Sequence, residues 1–126
     1  MKKILFAILF SLTAALGTQM MDSSVASAAD YWVYSKPYDR TSTTDTYVIS
    51  EKTYVDHVDW YLMTDVKIVN RGIVRQRCHY LFQKDDDGNV YYMITNAGGS
   101  QVRWHPVRSD ETWAIYSKAS ELVGGY

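Results

Sequence analysis

The segment WYLMTDVKIVNRGIVRQRCHYLF, residues 60–82, contains two runs in which apolar and polar side chains alternate. In the first run, one face carries Trp60, Leu62, Thr64, Val66 and Ile68, and the other carries Tyr61, Met63, Asp65 and Lys67. In the second run, one face carries Val74, Cys78, Tyr80 and Phe82, and the other carries Arg75, Arg77 and His79. Alternation of this length is typical of half-buried antiparallel strands. Asn70-Arg71-Gly72 supplies residues that tolerate positive φ in a short loop, so the segment predicts a central β-hairpin.

Turn signals divide the rest of the chain into further strands and one helix. Strands are predicted at residues 30–35, 46–50, 90–95 and 101–105, with 53–59 as a short or bulged strand. Glu51-Lys52 is predicted to be a turn, residues 84–89 (KDDDGN) are the strongest turn signal, and residues 96–100 form another turn. Pro106 is expected to stop the strand before it.

The C-terminal segment changes to helical periodicity. Ser109 is a good N-cap, and Gly124-Gly125 is expected to end the helix. The apolar stripe between them consists of Trp113, Tyr116, Ala119, Leu122 and Val123. Five or six strands followed by one amphipathic helix predict an α+β domain, in which the Trp113 stripe packs across a curled antiparallel sheet.

The N-terminal segment, residues 1–29, has the features of an export signal. Lys2 and Lys3 precede an apolar run over residues 4–16, and ASAA at 26–29 offers small residues for cleavage after position 28 or 29. The apolar run is shorter than the ~20 residues that span a bilayer. We therefore expect one exported domain, residues 30–126, that is secreted or located in the periplasm or cell envelope, without a membrane span. The Lys-Lys start and compact design of the segment resemble bacterial signals. An uncleaved N-terminal anchor is the alternative.

The composition of residues 30–126 excludes one class of partner and favours another. These 97 residues contain 11 basic and 13 acidic side chains, so the clustered basic excess of a nucleic-acid-binding protein is absent. All 11 tyrosines and all four tryptophans lie in this part of the chain. Such aromatic content suits a β-rich core, or alternatively an exposed face that binds glycan, peptide or protein.

The sequence contains no recognisable catalytic or metal-binding motif, and we predict no cofactor. His57, His79 and His105 lack metal-ligand spacing, although a site assembled from the last two stays open. Residues 85–89 (DDDGN) resemble the start of a calcium loop, but the glycine is fourth rather than sixth. No GxSxG motif or glycine-rich phosphate loop occurs.

Cys78 is the only cysteine, so an intramolecular disulfide is excluded. Its position on the apolar face of the hairpin predicts a buried thiol. An intermolecular disulfide and a reactive thiol are the alternatives.

The charged face of the hairpin is the candidate binding surface. Arg75 and Arg77 are expected on one face, about 6.5–7 Å apart along the strand, and guanidinium groups bind carboxylate or sulfate well. Asp65 and Lys67 lie on the neighbouring strand, so internal salt bridges are the alternative. The predicted binding residues are Arg75, Arg77, His79, Tyr61 and Tyr91.

The order of elements resembles that of known exported proteins. An aromatic first strand (DYWVYS, residues 30–35), an alternating central hairpin and a Trp-containing final helix are similar to small secreted bacterial domains of unknown function. More distantly, residues 30–123 resemble the surface-adhesin protein E-like group, which implies an exported α+β domain with an adhesive role. The cysteine of lipid-anchored adhesins is missing near the cleavage site.

Together, these observations predict a non-catalytic binding domain with a protein or glycan partner. An inhibitor or accessory factor of an envelope enzyme is the first alternative. A small hydrolase with an unrecognised His/Asp site is the less favoured one.

Overall fold

The computed structural model describes residues 29–96 and 103–126, which form one antiparallel sheet with a helix packed on it. The elements are β1 (Asp30–Pro37), β2 (Thr43–Asp56), β3 (Tyr61–Asn70), β4 (Ile73–Lys84), β5 (Val90–Ile94), β6 (His105–Pro106) and α1 (Asp110–Leu122). The six strands lie in the sheet in chain order, and the sheet curls into a half-barrel. The predicted α+β fold, a curled sheet with one C-terminal helix, is therefore confirmed. The export signal, part of the 96–100 turn and the start of the 101–105 strand lie outside the described residues.

The central hairpin is formed by β3 and β4, as the alternation predicts. Leu62 lies opposite Phe82, and Val66 lies opposite Cys78, with all four side chains buried. The turn between the strands has positive φ at Arg71 (54°) and at the glycine that follows it (76°). These left-handed conformations match the short hairpin loop that the sequence predicts.

A register irregularity in β4 changes which residues face the core. Gln76 lies opposite Ile68, but Val74 lies opposite Val69, so Arg75 is an extra residue with no partner on β3. One inserted residue inverts the alternation on the far side of the bulge. The prediction that Val74 shares the face of Cys78 is therefore wrong, and Val74 is 41% exposed.

Trp60 also departs from the predicted apolar face. It precedes β3 with a φ of 60° and remains largely exposed. Its carbonyl oxygen accepts a hydrogen bond from the hydroxyl of Tyr126. Because its backbone is left-handed, the strand alternation begins only at the next residue.

β2 is one long strand rather than two strands joined by a turn. Its register with β3 shifts between Ile49 and Tyr54, so residues 50–53 bulge out opposite Thr64. Thr53 Oγ1 closes the bulge through hydrogen bonds to Ile49 O (2.8 Å) and Thr64 Oγ1 (2.7 Å). The predicted Glu51-Lys52 turn is therefore wrong, since the chain bulges there without reversing.

The end of the sheet shows a smaller departure from the prediction. Pro106 belongs to β6 instead of stopping it, and it lies opposite Tyr91 of β5. Proline is tolerated at such a position because β6 is a short strand at the edge of the sheet.

Helix α1 covers the concave face of the sheet and completes the core. The Ser109 side chain accepts the backbone N–H of Thr112 (3.1 Å), which confirms the predicted N-cap. Ile115 and Ala119 are fully buried, whereas Trp113 is 41% exposed and does not lead the buried stripe as predicted. Across residues 29–96 and 103–126, no helix has the length and apolar character that crossing a membrane requires.

Cys78 is buried, as predicted, with 4% of its surface exposed. Burial, and to a lesser degree the charge of Glu111, raises the pKa of its thiol. The reactive form of cysteine is the thiolate, so burial disfavours the reactive form of Cys78 in the folded protein.

Candidate binding surface

Strand β4 is divided into two halves by the length of its neighbour β5. Residues 80–84, here called the covered half, pair with β5, and residues 80–82 among them also pair with β3 on the other side. Residues 73–77, here called the open half, pair with β3 alone among the residues that the structure describes. All five residues of the open half are exposed.

The side chain of Asn96 marks the boundary between the two halves. Its Oδ1 accepts the backbone N–H of His79 (3.0 Å), and its Nδ2 donates to the carbonyl oxygen of Arg77 (2.8 Å). The N–H of Thr95 donates to the carbonyl oxygen of His79 (2.9 Å). A side-chain amide therefore takes the place of the strand where β5 ends.

Four residues from four adjacent strands form what we call the aromatic–cationic row. The strand pairings place them side by side in the order Trp32, Tyr47, Lys67 and Arg77. Residues that are opposite one another in neighbouring strands project from the same face of the sheet. This face is opposite the one that α1 covers, because Val48 and Val66, the next residues on β2 and β3 after Tyr47 and before Lys67, are fully buried.

Most of this row is held in place by contacts within the sheet. The indole N–H of Trp32 donates to Ser35 Oγ (2.7 Å), and that hydroxyl donates to Asp45 (2.5 Å). The Lys67 ammonium lies 5.5 Å from the centre of the Tyr47 ring. Trp32 nevertheless remains 56% exposed, so the row presents an ordered aromatic surface to solvent.

The cationic end of the row is only partly neutralised. Lys67 lies directly opposite Arg77, and like charges in this position destabilise a sheet. Lys67 forms an ion pair with Asp30, whereas neither Arg75 nor Arg77 has an ion-pair partner within residues 29–96 and 103–126. The alternative of internal salt bridges therefore does not account for the two arginines.

That alternative does account for the predicted site residue His79. Its Nδ1 lies 2.5 Å from Asp65 Oδ1 on β3, and more than half of the imidazole side chain is exposed. The pair borders a shallow depression of about 240 Å³, which is lined by Lys52, Tyr54, Met63, Thr64, Asp65, His79, Tyr80, Leu81 and Thr95. A base oriented by a carboxylate is one part of a hydrolytic site, but the described lining contains no serine or cysteine nucleophile.

Comparisons with family models, with curated proteins and with solved structures found no match to this chain. The resemblance to the protein E-like group therefore stays a prediction.

Tyr61 and Tyr91 lie at the other end of the sheet, away from the arginines. Tyr61 is six residues from Lys67 along β3, or about 20 Å in extended chain. Its ring contacts Trp104 edge-on at 5.2 Å. The Tyr91 hydroxyl donates to Asp85 (3.3 Å) in the β4–β5 turn, and Tyr91 lines a second recess, of about 380 Å³, beside Trp113. The structure thus separates the two predicted tyrosines from Arg77 and His79.

The row instead contains two aromatic residues that the sequence reasoning did not select. Trp32 and Tyr47 each lie within or beside a predicted strand, but their position beside Lys67 depends on the register of three strand pairs. Their alternation alone indicated an exposed face without indicating its neighbours. A register could have been guessed only from the hairpin turns that connect these strands.

The acidic residues at 85–89 are used by their own turn. Asp85 accepts hydrogen bonds from the side chain and the N–H of Asn89 and from the N–H of Asp87. These bonds, those of Asn89 first, hold the pKa of the Asp85 carboxyl below its ordinary value. The carboxylate that would begin a calcium loop is therefore engaged in closing the β4–β5 turn. No group of three or more His, Cys, Asp or Glu side chains in the described parts of the chain is placed to hold a metal ion.

Proposed function

We propose that this chain is an exported, non-catalytic binding domain that recognises an anionic protein partner. The recognition surface consists of the open half of β4 and the aromatic–cationic row. The observation that carries the proposal is the pair of exposed arginines, Arg75 and Arg77, which have no ion-pair partner in the described chain. Arg77 also lies directly opposite Lys67.

Physical reasons favour a protein as the partner. An acidic group brought against Arg77 relieves its repulsion with Lys67 and gains a charge-assisted hydrogen bond. Trp32 and Tyr47 add flat amphipathic surface beside the charges, and aromatic residues with arginine are enriched at the energetic centres of protein interfaces. The arginines and the rings thus supply charge and contact area on one exposed face.

The test is cross-linking capture with the tagged protein against envelope and medium fractions of the source cell. We expect one dominant protein partner that untagged protein displaces, and at least a tenfold loss of capture for the double variant Arg75→Glu/Arg77→Glu. The matched control is Arg108→Glu, a charge reversal at an exposed arginine that precedes α1. Recovery of the domain itself from the medium or envelope fraction tests export.

Melting temperatures separate recognition from structure. Substitutions at exposed positions usually change the free energy of unfolding by no more than about 0.5 kcal/mol. The double variant and the Arg108→Glu control are therefore both expected to melt close to the wild type. If the double variant unfolds, the arginines are structural and the proposed surface is wrong. If it captures the partner as well as the Arg108→Glu control does, the surface lies elsewhere. If the captured species that untagged protein displaces is an acidic glycan, the proposal of a protein partner is wrong and a glycan takes its place.

An inhibitor or accessory factor of an envelope enzyme is the second candidate, because an exposed strand edge suits the blocking of an enzyme's cleft. The same capture experiment distinguishes it. The candidate predicts that the captured partner is an enzyme whose activity changes when the wild-type domain is added, but not when the double variant is added.

A further inference from the structure

We infer that the partner adds an acidic extended segment to the open half of β4 as a further strand of the sheet. This inference rests on the proposed function and specifies how the same surface binds. Strand addition uses main-chain hydrogen bonds for affinity and alternate side chains for specificity. Both elements are present in residues 73–77.

The backbone of the open half is oriented for such pairing. The carbonyl oxygen of Arg77 and both backbone groups of His79 point toward the β5 side, where Asn96 and Thr95 bind them. In an antiparallel ladder, the N–H and the C=O of one residue point to the same side. The N–H of Arg77 is therefore the first donor past the end of β5 that faces outward. The open half spans five residues, close to the length of an average strand.

The side chains of the open half select the incoming segment by charge. Arg75 and Arg77 favour glutamate or aspartate on the added strand. On the opposite face of the strand, Ile73 (54% exposed) offers apolar contact for the residues between the acids. An alternating acidic and apolar segment thus fits this edge in both respects.

A second copy of the same edge fits poorly. Antiparallel pairing of two open halves would bring Arg75 and Arg77 of one protomer against the same arginines of its partner, and like charges across a ladder are destabilising. A second copy of the open half is therefore an unfavourable partner for this edge, whereas an acidic strand is a favourable one.

Edge protection is the competing explanation for these residues. Positive charges and bulges on edge strands commonly serve only to prevent aggregation. On that explanation, neutralising the arginines causes self-association, and no acidic strand binds the wild type. The two explanations thus differ in what the unmodified protein does with an acidic peptide.

The experiment uses the ¹⁵N-labelled protein and an acetylated, amidated octapeptide of alternating glutamate and valine. We expect salt-sensitive binding, and at saturation at least a tenfold slower amide exchange at the N–H of Arg77. The N–H of Asp86, in the β4–β5 turn beyond the covered half, serves as the internal reference and is expected to stay unchanged. A lysine–valine octapeptide and the Arg77→Glu variant are the binding controls.

The possible outcomes distinguish a failure of strand addition from a failure of the proposed function. Binding without protection of the Arg77 N–H shows side-chain recognition only and overturns strand addition, while the proposed function stands. Failure of the acidic octapeptide to bind overturns strand addition, and the proposed function then depends on the capture experiment. Self-association of Arg75→Gln/Arg77→Gln without peptide binding by the wild type assigns the edge to protection alone. Equal binding of the lysine–valine peptide removes the charge selection on which both proposals depend.

Discussion

The covered and open halves of β4 belong to one strand but have opposite surroundings. In the covered half, Tyr80 and Phe82 are buried, and the Phe82 ring meets Tyr116 of α1 edge-on at 5.4 Å. In the open half, every residue is exposed and only β3 lies alongside in the described chain. The difference comes from where β5 ends and from the bulge at Arg75, which lies within the open half. A single strand can therefore divide its length between holding the fold and presenting an exposed edge.

The largest expected effect is on the covered half. Phe82→Ala removes a fully buried ring from the core and should lower the free energy of unfolding by about 3–5 kcal/mol. Val74→Ala is the corresponding truncation in the open half, and it should cost less than about 1 kcal/mol because Val74 is 41% exposed and loses only two methyl groups. Urea unfolding of both variants measures the contrast. Similar losses for the two variants would contradict the division of β4.

The boundary between the halves is expected to give an intermediate effect. Asn96→Ala removes both hydrogen bonds that end the covered half, at His79 and Arg77, and should cost about 1 kcal/mol because these backbone groups can bind water instead. Amide exchange at the N–H of His79 should accelerate, while exchange at Phe82 should not change. Equal acceleration at both sites would mean that Asn96 stabilises the whole strand instead of its boundary.

The smallest expected effect is a pH dependence of the turn that joins β4 to β5. Hydrogen bonds from Asn89 and Asp87 lower the folded-state pKa of Asp85, so its carboxylate stabilises the fold above its ordinary pKa of 3.8. That contribution is lost as the pH falls from about 3.8 through the lower folded-state pKa. Asp85→Asn should lack this part of the acid destabilisation, whereas Asp86→Asn should retain it. Unfolding curves between pH 7 and pH 2.5 compare the two, and an identical acid response would contradict the assignment.

The sequence predicts those parts of the fold that depend on local alternation. The faces of β3 and of the covered half follow from period-two patterns, and burial of Cys78 follows with them. The bulge at Arg75 is not predictable in this way, because alternation cannot show that one residue has no partner. The prediction of a turn at Glu51-Lys52 is wrong for a related reason, because the polar residues of a bulge resemble in sequence those of a turn.

The candidate site is predicted only in part, because its two components have different origins. Arg77 and His79 are visible in the sequence as polar residues of an alternating strand. Trp32 and Tyr47 join them only through the register of β1, β2 and β3, which is decided by packing over the whole sheet. Tyr61 and Tyr91 are likewise aromatic residues of predicted strands, but they lie at the end of the sheet away from the arginines.

The buried thiol of Cys78 is a natural probe for local opening of the central hairpin. It lies between Arg77 and His79 in the chain, on the opposite face of the sheet from the aromatic–cationic row, next to the boundary between the two halves. Because only 4% of Cys78 is exposed and burial raises its pKa, we expect an alkylating reagent to react faster in molecules whose central hairpin has opened. The alkylation rate therefore reports local opening at this boundary. A strand added to the neighbouring edge should lower the alkylation rate of Cys78 without contacting its sulfur atom.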